Sequence, residues 1–304
     1  MDMPRILVVD DEPAILSTLR EILVPFGHVV SMAEDGMAGL EKAKAEHFDL
    51  VISDISMPRM NGIEFLSQLE RISPDTHRVL LTAHTLEEYI DQLVTHELSC
   101  VLTKSVPFPV GEVLSTVEAL LSRQIFGLDR HVSNIATRES FLVRTHQDLL
   151  NACDRLAGFA PDKRKNHLAT ILNEILTNAV YYGTLDFPGD RKETWSHDFV
   201  IPEDRAVRID LAVGDDRRGI SITDFGGKLE RSTVLHWLHR QMAHDDNGLP
   251  LGIFDNHGRG FFISRSFSDR LLISIERDKR CEVSLILYDN APPAGEKPLV
   301  ILEI

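Results

Sequence analysis

The sequence predicts an α/β protein, a five-stranded doubly wound parallel sheet followed by a two-layer α/β sandwich. Three observations predict it. Five short apolar runs alternate with amphipathic helices over residues 5–104, the pattern of a parallel sheet covered on both faces. From about residue 140 helices come first and paired apolar runs follow, the pattern of helices layered on an antiparallel sheet. With 304 residues, 43% of them hydrophobic, the chain is long enough to build two cores.

In the first half, RILVVD (5–10), HVVSM (28–32), DLVISD (49–54), RVLLTA (78–83) and CVLTK (100–104) read as strands. Apolar residues at helical spacing cover 13–24, 36–46, 62–71, 86–95 and 109–123, which closes a first domain at residues 1–124. Residues 125–139, IFGLDRHVSNIATRE, have weak periodicity and read as a linker, either a hinge or a helical extension. A second domain then spans 140–304. FLVRT (141–145) reads as a strand and 147–160 as a helix; Pro161 and Asp162 open the next helix, which carries NEILTNAVYYG (173–183). Residues 184–206 are polar, hold two prolines and read as a long loop. VRIDLAVG (207–214) pairs with GISITD (219–224), and RLLISIE (270–276) with CEVSLILY (281–288), as two hairpins. The tail PPAGEKPLVILEI (292–304) reads as a last strand of this domain, with a strand added to a sheet edge, in this subunit or another, as the alternative.

Charge narrows the partners. The formal net charge is −15, and residues 1–124 hold 9 basic against 20 acidic side chains. Neither half is basic, so nucleic acid is not an expected partner. No apolar run approaches the ~18 residues of a membrane span, and the N-terminus lacks the pattern of a secretory signal. Cys100, Cys153 and Cys281 lie far apart and form no CxxC pair, which suits a reducing cytoplasm.

The ends of the first five strands carry the first chemistry. In open parallel sheets the ligand site lies at the carboxyl ends of the strands. There the sequence puts Asp10 and Asp11, then Asp54, Thr82 and Lys104. Three carboxylates at one edge repel one another unless a hard cation sits among them, and oxygen ligands of this kind suit Mg²⁺. Lys104 and the Thr82 hydroxyl are placed to hold phosphoryl oxygens, and a carboxylate beside a metal is a plausible nucleophile for an aspartyl-phosphate.

Residues 1–124 resemble a response-regulator receiver domain through LVVDDEP, DISMPRMNG, LLTAH and LTK. The resemblance implies a flavodoxin-like fold. It implies that Asp54 accepts the phosphoryl group, that Asp10 and Asp11 organise Mg²⁺, and that Thr82 and Lys104 contact the phosphate. It further implies a sensor histidine kinase as partner and a homodimer through the fourth and fifth helices. Two departures stand out. Val101 occupies the usual place of an aromatic switch residue, and Ser105 the place of a proline after the lysine.

Three clusters carry the second chemistry. Glu174 and Asn178 are four apart and share a helix face. A glutamate there is placed to act as a general base, and an asparagine carbonyl to complete a Mg²⁺ shell. In ITDFGGKLE, Asp224 can accept from an exocyclic amine such as adenine's, while Gly226 and Gly227 let the backbone approach a flat base. In HGRGFFISRSFSD, Gly258 and Gly260 open a helix whose N–H groups face phosphates, and Arg259 adds a positive charge. His236, His239 and His244 with Asp245 and Asp246 read as a polar helix leading into a mobile lid.

The order of these clusters resembles the Bergerat-type (histidine-kinase-like) ATPase fold, over roughly residues 140–288, closest to the anti-sigma-factor serine-kinase branch. The resemblance implies an ATP-hydrolysing enzyme or serine kinase with Glu174 as catalytic base. Asn178 would bind Mg²⁺, Asp224 would contact adenine, and Gly226, Gly258 and Gly260 would shape the pocket, with 237–257 as its lid. Arg280 and Cys281 stand where that family carries Gly-Thr. The resulting expectation is a cytoplasmic phosphoprotein whose state at Asp54 controls ATP use and action on a regulatory protein. Two alternatives are an atypical histidine kinase, with His146 nearest to a phosphoacceptor position, and a nucleotide-locked binding module.

Overall fold

A computed structural model describes residues 3–159, 165–187, 195–196, 198–244, 251–252, 259–290 and 296–304. The chain divides into two compact units, 1–125 with 293–300, and 126–292 with 301–304.

The first unit is a parallel sheet in the order β2-β1-β3-β4-β5. Its strands are β1 (Arg5–Val9), β2 (Val29–Ala33), β3 (Leu50–Asp54), β4 (His77–Thr82) and β5 (Cys100–Thr103). Ile6 to Val9 on β1 and all of β3 are buried, as expected of central strands covered on both faces. The connecting helices are α1 (Pro13–Leu23), α2 (Gly36–Ala45), α3 (Gly62–Ile72), α4 (Ile90–Thr95) and α5 (Val110–Ser122). Pro13 opens α1, where its missing N–H costs nothing. The Asp35 carboxylate caps α2 by accepting from the Ala38 N–H at 2.9 Å, and Asn61 caps α3 from Glu64 at the same distance. The helix expected at 86–95 is split, with a 3₁₀ turn at Leu86–Glu88 before α4.

Two expectations for the chain's connections need correction. The tail was expected in the second domain; residues 301–304 belong there, while Leu299 and Val300 pair antiparallel to β5, opposite Val101 and Cys100. Residues 125–139 were expected to be a linker, yet 126 onward belongs to the second unit. Leu128 and Val132 are buried against Gly219, where an added Cβ would meet both. The Gly127 N–H donates to Glu282 at 2.8 Å. A short 3₁₀ turn, Leu128–Arg130, does this packing, so the segment shows no helical period.

The second unit holds β6 (Thr137–Val143), α6 (His146–Phe159), α7 (Lys165–Asn178), β7 (Val207–Val213), β8 (Arg217–Asp224), α8 (Arg231–Met242), α9 (Arg259–Phe267), β9 (Arg270–Glu276) and β10 (Arg280–Tyr288). Its strands pair antiparallel in the order β9-β10-β8-β7-β6. α7 packs against both α6 and α9, and α8 against α9. The expected hairpins form, and β6 starts four residues earlier than the sequence suggests. The loop read at 184–206 and the lid at 237–257 lie partly outside the described residues. Among those described, no helix is long and apolar enough to cross a membrane.

One glycine fixes the approach of α3 to β3. A Cβ on Gly62 would collide with the Asp54 carbonyl oxygen, while the Gly62 N–H donates to Ile55 at 2.9 Å. Gly62→Ala is therefore expected to destabilise the first unit by about 2 kcal/mol or more. Faster hydrogen exchange at the β3 amides, with β8 and β10 unchanged, is the readout.

Candidate functional site

The carboxyl ends of β1, β3, β4 and β5 bring the first cluster together. Asp10 follows β1, Asp54 ends β3, Thr82 ends β4 and Lys104 follows β5. Asp10 is 1% exposed and Asp54 5% exposed, whereas Asp11 is exposed. The Lys104 ammonium lies between them, 2.9 Å from Asp10 Oδ2, 3.3 Å from Asp54 Oδ1 and 3.1 Å from Glu12 Oε1. The Lys104 N–H also donates to the Thr82 carbonyl at 2.7 Å, which holds the two strand ends together.

The charges explain the titration of the group. Burial raises the Asp54 carboxyl above its ordinary value; Lys104 counteracts this and Asp10 adds to it. Burial likewise raises Asp10, against a hydrogen bond from Lys104. Burial works against the Lys104 charge, but hydrogen bonding to Asp10 and the Asp54 carboxylate outweigh it, so its net shift is upward. Asp10, Asp11 and Asp54 each offer an oxygen, all within 4.8 Å of one another. Three hard oxygen donors at that spacing, two of them buried, fit a small dication such as Mg²⁺.

The second unit brings its predicted residues together in two groups, Glu174 and Asn178 with Gly260, and Asp224 with Gly226 and Gly227. The Asn178 amide donates to Glu174 Oε1 at 3.2 Å, so the i, i+4 pair on α7 is in contact. A Cβ on Gly260 would stand 3.2 Å from the Glu174 side chain, which sets the start of α9 beside that pair. Asp224, at the end of β8, is 7% exposed. Its Oδ1 accepts from the N–H groups of Gly226 at 3.1 Å and Gly227 at 3.3 Å. Burial raises its carboxyl to about 6, against those two hydrogen bonds. Gly258 lies outside the described residues, and of Arg259 only the backbone at the start of α9 is described. His146, the candidate phosphoacceptor of the rival reading, begins α6 with its ring edge-on to Phe199.

Sequence reasoning missed one residue. α7 runs on into a π-helical turn, Ala179–Thr184. This turn carries Gly183 to Asp224, where an added Cβ would stand 2.7 Å from the carboxylate carbon. The Gly183 carbonyl in turn occupies the space a Cβ on Gly226 would need. The glycine directly after NAVYY was the available signal; what it must clear is 41 residues away in the chain.

A doubly wound sheet with an acid–lysine cluster at its strand ends defines a class, and comparison with known proteins agrees. Residues 6–117 match the family described as response regulator receiver domain, and this segment is a receiver domain. It is similar to a response regulator receiver protein of Anaeromyxobacter, 36% identical over 107 residues, 35% of this chain and 45% of the relative. It is equally similar to the alkaline phosphatase synthesis transcriptional regulatory protein PhoP of Bacillus subtilis, 36% identical over 119 residues, 39% of this chain and 49% of that protein. Among solved structures, the response regulator TrrA of Thermotoga maritima in complex with Mg²⁺-BeF is 37% identical. It covers 39% of this chain and 100% of its own, with a TM-score of 0.36. The chain thus spans about half the length of the curated relatives it matches.

The raised Asp224 carboxyl has a direct consequence. A carboxyl whose folded value exceeds its unfolded one contributes stability that is complete below the unfolded value, ~3.9, and is lost as pH rises through about 6. Asp224→Asn is expected to flatten this decline and to stabilise the second unit at pH 8, by up to about 3 kcal/mol. Trp195 and Trp237, the chain's two tryptophans, both lie in that unit, so fluorescence-monitored urea unfolding at pH 4.5 and pH 8 measures it.

Proposed function

We propose that this protein is a response regulator whose second unit binds ATP and is controlled by phosphorylation of Asp54. The observation that carries the reading is the convergence of Glu174 with Gly260, and of Asp224 with Gly183 and Gly226, in a chain whose first unit is a receiver domain. Gly183 and Gly226 pack closely around the buried Asp224 carboxylate, and Gly260 packs beside the Glu174–Asn178 pair.

At the first site the Asp54 carboxylate attacks the phosphorus of a phosphoryl donor, and the bond from phosphorus to the donor's leaving group breaks. In two-component signalling the donor is a sensor histidine kinase. Lys104 and the Thr82 hydroxyl donate to the transferred phosphoryl oxygens, which moves Lys104 from its carboxylate partners to the new anion. Asp10, Asp11 and Asp54 would hold Mg²⁺, which supplies positive charge against the phosphoryl oxygens when bound.

At the second site Asp224 accepts a hydrogen bond from an amine on the base, and Gly183 and Gly226 let the backbone come close to that carboxylate. Asn178 offers its carbonyl toward a phosphate-bound Mg²⁺. Glu174, four residues away and touching Asn178, takes a proton from an attacking water or serine hydroxyl. A regulatory protein is the favoured acceptor, and self-association through the α4 and α5 faces of the first unit fits the same signalling role.

The test is phosphoprotein formation and ATP use by the purified chain. With Mg²⁺ and acetyl phosphate the wild type is expected to take one label and Asp54→Ala none. Asn178→Ala is expected to weaken Mg²⁺-dependent ATP binding at least ~10-fold by calorimetry. Glu174→Gln is expected to keep binding and lose at least ~100-fold in turnover. ATP use identical in labelled and unlabelled protein would break the proposed coupling.

A further inference from the structure

One tyrosine joins the loops that follow Asp54 and Thr82. The Tyr89 hydroxyl lies 2.9 Å from Ser56 Oγ, and Ser56 is two residues past Asp54. The Tyr89 ring meets the His84 ring edge-on, 5.9 Å between centroids. His84 is two residues past Thr82, whose hydroxyl accepts from the His84 N–H at 3.0 Å. A single side chain therefore ties the loop after Asp54 to the loop after Thr82. Tyr89 also begins α4, since its carbonyl accepts from the Leu93 N–H at 2.9 Å.

Burial sets this bond nearer to solvent than the Asp54 carboxylate. Asp54 is buried, Tyr89 is half-buried and Ser56 is exposed. Val101, which the sequence places where an aromatic residue was expected, is a fully buried aliphatic side chain with no hydroxyl to offer. Tyr89 is also the single tyrosine of residues 1–125.

We propose that Tyr89 is a positioning residue for the reaction at Asp54: its bond to Ser56 holds the ring across the mouth of the pocket and slows hydrolysis of the phosphoryl group. The inference rests on the reading of Asp54 as phosphoacceptor. In hydrolysis a water oxygen bonds to phosphorus while the phosphorus–Asp54 oxygen bond breaks. The Asp54 carboxylate is regenerated, inorganic phosphate leaves, and the water's protons pass to phosphate and solvent. In-line displacement requires that water enter opposite the Asp54 oxygen, from the open side of the pocket. In the proposed arrangement that side holds Ser56, exposed and two residues past Asp54, together with the Tyr89 hydroxyl hydrogen-bonded to it. A phosphoryl group on Asp54 extends toward the same bond, so its arrival also changes the tyrosine's surroundings at the start of α4.

The experiment uses the full chain with Mg²⁺ and acetyl phosphate, followed by donor removal and decay of the phosphoprotein on a phosphate-affinity gel. Tyr89→Ala is expected to lose label about fivefold faster, equivalent to about 1 kcal/mol in the barrier. Tyr89→Phe and Ser56→Ala each remove the hydroxyl bond and keep the fold, and both are expected to decay at least ~2-fold faster. Their double variant is expected to decay no faster than either single one, because both remove the same bond. With 3-fluorotyrosine incorporated, the resonance missing from Tyr89→Phe is expected to shift on phosphorylation. Label decaying at the wild-type rate in all variants, or an unmoved resonance, overturns the role of Tyr89. A wild type that takes no label overturns the reading of Asp54 itself, and this inference with it.

Discussion

The first unit depends on one ammonium group held among carboxylates. Asp10 and Asp54 are both buried at the same sheet edge, and two like charges there repel at short range in a poorly solvating medium. Lys104 reaches both and relieves that repulsion. The relief is incomplete, since burial still raises both carboxyls. A second cation among the same oxygens would complete it.

The second unit is organised by a carboxylate with the opposite problem. Among the described residues no cationic side chain is seen acting on Asp224, and its charge rests on two backbone N–H groups and on the glycines that come close to it. Closeness of that kind is available only where there is no Cβ, which explains why Gly183 and Gly226 meet there. The other face of the same sheet solves its polarity differently. Glu282, 2% exposed, accepts from the Gly127 N–H, the Thr223 hydroxyl and the Ser284 hydroxyl. That network anchors residues 126–132 to the sheet and makes a segment of weak periodicity part of the fold.

Much of this was legible because it is local. Alternation of short apolar runs with helices placed β1 to β5 within a residue or two, and the acids at their ends followed from strand direction. The i, i+4 contact of Glu174 with Asn178 followed from helix geometry. The segment at 125–139 was misread because a 3₁₀ turn whose Leu128 packs on Gly219 together with Val132 carries no helical apolar period. The pairing of Leu299 and Val300 was not legible because LVILE declares a strand and says nothing about which edge it joins; that pairing depends on β5 having one open side.

The sequence by itself determined the strands, the helices, the acid and lysine at the strand ends and the order of the three clusters in the second half. Each of these is written in periods of two to four residues or in residue types adjacent in the chain. The tertiary structure alone decided which distant groups touch. Tyr89 meets Ser56 across 33 residues, and Gly183 meets Asp224 across 41. Neither meeting has a sequence period, because each is set by where two separate elements end in space.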